Sequence, residues 1–264
     1  MKTIVITGST RGIGFHLAGA LLQRGCQVVV SGRAQPNVDK AVAALTSRYP
    51  SAELLGVACN VTHYEQHEAL WQRACQRFGR VDVWVNNAGI ASTLMPFWQV
   101  DPGEIAGVTA TNVIGAMYGT RLALEKMLLQ GAGAIYNVEG YGSKGRQMVN
   151  GLAVYGATKA GLSFFNQAVA REVTSTPVIL GWLNPGMVAT DMVLKQYEGR
   201  PEEWKMVRPI FNIVAERPET VAPWMADHIL NNTRNGRNFS YNSALKLSLR
   251  FLTAPFKKRD IFTN

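Results

Sequence analysis

Residues 3–32 read "TIVITGSTRGIGFHLAGALLQRGCQVVVSG". An apolar run from Thr3 to Thr7 opens into a loop with glycine at positions 8, 12 and 14. About a dozen residues of helical pattern follow, and a second apolar run begins at Gln27. Strand, glycine turn, helix and strand in that order make a parallel pair, because the helix carries the chain back to start the next strand in the same direction. The alternation continues to the end of the chain. Strand candidates lie at 3–7, 27–32, 53–60, 81–87, 133–138, 178–184 and 238–242; helix candidates lie at about 12–24, 37–48, 62–78, 103–130, 153–174 and 218–232. Most of these strands are unbroken apolar runs, as expected where helices cover both faces.

The pattern predicts an α/β fold, a single doubly wound (Rossmann) parallel seven-stranded sheet with helices on both faces, spanning residues 1–264 as one domain. Two regions break the alternation. Residues 187–215 follow the sixth strand and carry Met187, Met192, Trp204, Met206 and Phe211. Ligands bind beyond the carboxyl ends of the strands in such sheets, so this segment is expected to be a substrate lid. The second region is a basic-apolar C-terminal extension at about 243–264. It is expected to pack at an edge or oligomer interface, with peripheral membrane contact or a pigment-facing role as the minority alternative.

Hydrophobic residues make up 47% of the chain and charged residues 17%, which excludes a disordered polymer. No apolar run approaches the ~18 residues needed to span a bilayer. The first strand-like run begins at Lys2, giving the expectation of a soluble, cytoplasmic protein with no signal or transit peptide. A net charge of +9 and the cluster Lys257-Lys258-Arg259 favour acidic partners: a phosphorylated cofactor, a carboxylate substrate or an anionic membrane surface. No basic-aromatic stripe points to nucleic acid. Cys26, Cys59 and Cys75 read as reduced thiols. His63 and His67 lie four apart on a helix candidate with no third ligand nearby, so a solvated helix face is expected and no metal.

In the loop "TGSTRGIG" (7–14), Gly8 allows the tight turn, Gly12 lets backbone approach a pyrophosphate, and Gly14 lets the helix sit close to the sheet. Ser9, Thr10, Arg11 and Ile13 complete the loop, and the following helix offers free N–H groups to phosphates. A dinucleotide with a free ribose 2′-hydroxyl wants a carboxylate after the second strand. That place reads "SGR" (31–33), with Arg33 and no acid. Arg33 and Arg11 together would clamp a 2′-phosphate, so NADPH is the expected cofactor. Asn60 can hydrogen-bond the adenine amino group and Val61 can flank the ring.

Tyr155 and Lys159 in "YGATK" (155–159) are four apart and project from one helix face. An ammonium ~4 Å from a phenol contributes on the order of 4 kcal/mol at an effective dielectric of ~20, which is expected to lower the phenol's pKa. Tyr155 can then protonate a carbonyl oxygen as hydride arrives from the nicotinamide, while Lys159 holds the nicotinamide ribose.

With these pieces in place, the chain resembles a short-chain dehydrogenase/reductase over essentially its whole length. The matching pieces are "TGSTRGIG" (7–14), "NNAG" (86–89), Asn112 in "TNVIG", "YGATK" (155–159) and "NPGMVATDM" (184–192). The resemblance implies that Asn112 holds a water linking Lys159 to solvent, and that Asn87, Ala88 and Gly89 line the cofactor. It implies that Pro185, Gly186, Val188 and Thr190 cover the nicotinamide carboxamide. It also implies a homodimer or homotetramer, paired through the long helices at 103–130 and 153–174. One departure stands out. Most of the family ends the fifth strand "N-x-S-S", the second serine holding the substrate carbonyl, and here Gly140 takes that place. Ser143, 12 residues before Tyr155, is the expected replacement as an oxyanion donor. The alternative is a purely structural loop, with Tyr155 acting beside backbone donors.

The departure points to a subfamily. "IYNVEGYGS" (135–143) and "IFNIVAERPETVA" (210–222) resemble segments of plant-type chlorophyll(ide) b reductases, and the tail "NFSYN…RFLTAPF" does so more loosely. Those enzymes use NADPH to reduce a formyl group on a tetrapyrrole to hydroxymethyl, in chlorophyll catabolism. The resemblance implies a flat hydrophobic carbonyl substrate, with another bulky ketone or aldehyde as alternative and a non-catalytic nucleotide sensor as the more distant one. The cofactor reading has a direct test. Arg33→Asp is expected to lower the NADPH-over-NADH ratio of kcat/KM by about tenfold or more, the value of one charge-assisted hydrogen bond. An unchanged ratio in steady-state assays would remove Arg33 from the 2′-phosphate.

Overall fold

The computed structural model describes residues 1–145, 148–254, 256 and 259–262. Seven parallel strands form one sheet: β1 (Thr3–Ile6), β2 (Gln27–Gly32), β3 (Leu54–Ala58), β4 (Val83–Asn86), β5 (Gly133–Val138), β6 (Val178–Asn184) and β7 (Arg237–Ser240). Their spatial order is β3-β2-β1-β4-β5-β6-β7, so the winding direction reverses between β1 and β4. That crevice is where ligands bind in doubly wound sheets.

The strands alternate their burial to two faces. Ile4, Ile6, Val28 and Val30 pack with Leu17 and Leu21 of α1 (Gly12–Leu22) and with Met225 and Ile229 of a later helix. Val5, Val29, Trp84 and Ile135 pack on the opposite side with Leu70, Leu122 and Met127. The remaining helices are α2 (Gln35–Arg48), α3 (Tyr64–Phe78), α4 (Pro102–Thr109), α5 (Gly115–Gln130), α6 (Ala153–Glu172), α7 (Asp191–Leu194), α8 (Pro201–Val214), α9 (Pro218–Asn231) and α10 (Ala244–Thr253). Asp101 caps α4 by accepting from the Gly103 and Glu104 N–H groups, with Pro102 at the first helical position, as its sequence suggests. No helix among the described residues is long and apolar enough to cross a membrane.

Three sequence expectations change. The helix expected at 103–130 is two helices joined by a π-helical turn at Ala110–Ile114, which contains Asn112. His67 does not lie on a solvated face. It is fully buried, its Nε2 lies 2.9 Å from the Val61 carbonyl, and its ring packs beside Trp84. Burial holds its pKa below the ordinary value. His63 lies at the start of α3, beside Glu65. The basic cluster at 257–259 is the third: Lys257 and Lys258 lie outside the described residues, and Arg259 is an internal tether whose guanidinium bonds Glu216 and the carbonyls of Ile213 and Ala215.

A chain of buried polar groups joins the sheet's centre to α6. Trp84 Nε1 donates to Asn86 Oδ1 (2.8 Å), Asn86 Nδ2 donates to Asn137 Oδ1 (2.8 Å), and Asn137 Nδ2 donates to Asn166 Oδ1 (2.6 Å). Asn137 and Asn166 are both fully buried. Removing the middle link strands its neighbours without water, at roughly 1–3 kcal/mol for each group left unsatisfied. Asn137→Ala is therefore expected to lose at least that much stability in urea unfolding, and a loss under ~0.5 kcal/mol would show that the chain carries no weight.

Candidate active site

The glycine loop is built as the sequence suggests. Gly8 and Gly12 have φ of +62° and +56°, values that a side chain opposes. A Cβ on Gly8 would also lie 2.6 Å from Ala88 Cα, and one on Gly14 would collide with the Asn87 amide. The loop is pinned by its own hydroxyls. Ser9 Oγ donates to the Ile6 carbonyl and accepts from Ser31 N–H, while Thr7 Oγ1 accepts from the N–H groups of Asn87 and Ala88. Asn87 Nδ2 donates to the carbonyls of Thr7 and Gly8. Thus "NNAG" and the glycine loop are one rigid body. Helix α1 starts at Arg11 with no side-chain cap, leaving its first N–H groups to an incoming anion. A phosphate-bearing dinucleotide fits this cradle.

Thr10 lies against Gly32 at the end of β2, and Arg33 follows directly, exposed like Arg11. Ile13 is half-buried against the core. Asn60 Oδ1 accepts from the N–H and hydroxyl of Thr62, and Val61 packs against Gly115. After β6, Gly186 turns with φ +74° beside Asn242, Val188 pairs with Glu216, and the Thr190 methyl lies over Gly12. The segment following Pro185 therefore closes over the glycine loop.

The residues expected to react gather at the carboxyl ends of β4 and β5. Lys159 is buried, and its Nζ donates to the Val138 carbonyl at 3.0 Å. The same Nζ stands 5.9 Å from the Tyr155 ring centroid. Asn112 Nδ2 donates to the Ile90 carbonyl (2.8 Å) and to Thr158 Oγ1 (3.1 Å), and its Oδ1 accepts from Ile90 N–H (2.9 Å). A Cβ on Gly89 would meet both Asn112 Oδ1 and Lys159 Nζ, so the bare glycine lies directly before them. The π-helical turn delivers Asn112 to this place, a local distortion that recurs at functional sites.

Burial dominates the electrostatics. It pushes the Tyr155 phenol up to about 12 and brings the Lys159 ammonium down to about 8, with Glu139 opposing the latter change. The expected acidification of the phenol by Lys159 is thus reversed in this structure. The ammonium is turned onto the Val138 carbonyl, and loss of hydration on burial is what raises the phenol.

Gly140 faces the phenol. A Cβ built there would stand 2.5 Å from Tyr155 Oη, so the tyrosine hydroxyl fills the space a side chain would take. Ser143 folds back to the same spot: its hydroxyl donates to the Gly140 carbonyl (2.8 Å) and accepts from Gly140 N–H (3.2 Å). Among the described residues no hydrogen bond reaches Tyr155 Oη, from Ser143 or elsewhere. One neighbour escaped the sequence reading. Glu139 is buried, accepts from Asn166 Nδ2 at 3.2 Å, and has its carboxyl pushed above the ordinary range by burial. An acid closing an apolar strand was the available signal.

The profile of the short chain dehydrogenase family matches residues 2–201. The chain belongs to that family. Among curated relatives, the probable chlorophyll(ide) b reductase NYC1 of Arabidopsis thaliana is 32% identical over 96% of this chain and 53% of its own length. The chlorophyll(ide) b reductase NOL of Oryza sativa subsp. japonica is 31% identical over 95% of this chain and 71% of its own. The chain spans about half the length of the NYC1 relatives it matches. Levodione reductase superposes with a TM-score of 0.82 at 24% identity, covering 93% of this chain and 97% of its own, and shares the fold. An actinorhodin polyketide ketoreductase solved with NADPH also gives 0.82, at 26% identity and the same coverage.

This short chain dehydrogenase thus has glycine where a serine is usual, and the geometry says what a side chain there would do. Gly140→Ala is expected to push Tyr155 Oη aside and to lower turnover by about 10²-fold, the scale of a ~1 Å misplacement. A crystal structure and steady-state rates check both parts; an undisplaced phenol with normal turnover would remove the constraint.

Proposed function

We propose that this chain is an NADPH-dependent carbonyl reductase that converts the formyl group of a chlorophyll(ide) b-type tetrapyrrole to hydroxymethyl. The observation that carries the reaction is the Tyr155 hydroxyl lying against bare Gly140, on the same helix as Lys159 and near Asn112, which bonds Thr158 of that helix. A phenol whose pKa is raised to about 12 is fully protonated at physiological pH, the state required to give a proton to a carbonyl oxygen. Arg11 and Arg33 would hold the 2′-phosphate of NADPH beside the glycine loop, and the bound cofactor would supply the hydride. Lys159 orients Tyr155 and the nicotinamide ribose. Asn112 shapes the proton path through its π-helical turn, and Ser143 supports the carbonyl oxygen from the Gly140 side.

The substrate class rests on the relatives and on the rim of the site. Phe97 and Trp98 after β4 and Met148 and Val149 after β5 are exposed apolar side chains at the carboxyl end of the sheet. The two loops touch, with Gly151 beside Leu94 and Met95. The segment 187–215 acts as the lid, adding half-exposed Met192 and Leu194 and a cleft of about 490 Å³ beneath Tyr197 and Trp204. A flat macrocycle suits such a rim better than a small polar carbonyl. We also propose a homodimer or homotetramer through α5 and α6, where Leu129 and Phe164 lie exposed. The exposed leucines 245, 249 and 252 of α10 offer a peripheral membrane contact.

Purified protein is expected to consume NADPH with chlorophyllide b and yield the hydroxymethyl product, and Tyr155→Phe should lose about 10²–10⁴-fold in kcat. Activity on a ketosteroid or 3-oxoacyl compound alone would overturn the tetrapyrrole assignment. No NADPH consumption with any carbonyl would overturn the reductase.

A further inference from the structure

The buried acid beside the reacting pair has a place that backbone geometry dictates. Glu139 follows the last residue of β5, and its N–H still donates to the Leu183 carbonyl (2.8 Å), so the strand's alternation continues through it. Asn137 and Glu139 therefore point to the same face. That face meets α6, where Lys159, Ser163 and Asn166 lie four and three residues apart along one stripe. Asn166 grips both strand residues: its Oδ1 accepts from Asn137 Nδ2, and its Nδ2 donates to Glu139 Oε1. Lys159 Nζ sits on the carbonyl of Val138, the residue immediately before the acid.

A carboxylate that is only 3% exposed is costly to keep ionised without donors and an opposite charge. Asn166 is the donor and Lys159 the opposite charge, and they oppose the burial that pushes the Glu139 carboxyl above the ordinary carboxylate range. Lys159, whose Nζ sits on the carbonyl next to Glu139, is the cation acting on that acid, and Glu139 is the anion acting on Lys159. No other charged group among the described residues is felt by either. We infer that Glu139 is a positioning residue, whose carboxylate is the counter-charge that keeps Lys159 an ammonium in its buried seat on the Val138 carbonyl. This rests on the reading of Tyr155 and Lys159 as the reducing pair.

Burial alone drives Lys159 toward its neutral form, and Glu139 works against that change. Glu139→Gln keeps the volume and the acceptor for Asn166 but removes the charge. Lys159 should then lose its proton at lower pH, and the alkaline limb of kcat/KM should move down by about one pH unit, the effect of a nearby opposite charge. Glu139→Asp, which keeps the charge one methylene further back, should fall between wild type and the glutamine variant.

The full-length protein with 13Cε-labelled lysine, the Lys159 signal assigned by its loss in Lys159→Met, gives the same midpoint by NMR titration with no carbonyl substrate present. A lowered midpoint in Glu139→Gln, with unfolding temperature near wild type, supports the inference. An unshifted midpoint in that folded variant overturns it. Should Glu139→Gln fail to fold, a midpoint in Glu139→Asp at or above wild type overturns it equally. A shifted midpoint in a protein that reduces no carbonyl would sink the reductase reading and support the link between Glu139 and Lys159; normal turnover with an unshifted midpoint would sink the link alone.

Discussion

The site depends on one amide. Asn137 lies fully buried in β5, with its carbonyl oxygen accepting from Asn86 of β4 and its amide nitrogen donating to Asn166 of α6. Neither neighbour can slide by a residue without leaving a polar group dry, and inside a protein that penalty is large. The consequence is geometric. The helix that carries Tyr155 and Lys159 is locked against the strand that ends in Val138, Glu139 and Gly140. Lys159 reaches the Val138 carbonyl and Tyr155 Oη reaches the empty side of Gly140 because α6 has this one register on the sheet.

Dryness then sets the chemistry. A pair of charges on a wet surface would favour a phenolate next to an ammonium, which is the situation assumed when spacing alone is considered. Inside this wall of packed side chains both ionised forms lose hydration, and the pair moves toward a neutral phenol and a less basic amine. That balance favours donating a proton over accepting one. The acid beside the lysine works in the opposite sense, favouring the ammonium that burial disfavours.

Much of this was legible from local chemistry. The glycine loop, the strands β2, β5 and β6, and the Tyr155–Lys159 spacing depend on neighbours within a few residues. Features fixed by distant contacts were hidden. The π-helical turn interrupts an unbroken helical pattern because Asn112 bonds Ile90, 22 residues away. His67 looks polar on its own helix, yet Val61 and Trp84 close over it. The resemblance to the family's strand-end pattern marked the position of the missing serine, but only packing shows that the tyrosine hydroxyl occupies that space.

The C-terminal segment completes the argument about the substrate side. Glu216, where the post-β6 insertion re-enters the fold, is nearly buried and is gripped by Arg250 and Arg259. Phe262 packs edge-on against Trp204 with ring centroids 4.9 Å apart, joining Tyr197 and Phe211 in one aromatic cluster. Arg208 pairs with Asp260 alongside. Two arginines on one carboxylate would repel each other if that acid were absent, so the tail is held to the insertion by a charge that neither segment supplies alone. Val188 pairs with Glu216, and the Thr190 methyl touches Gly12 two residues on. The tail, the insertion and the glycine loop are therefore linked by contact, with Arg259, Asp260 and Phe262 bracing the insertion at its far end.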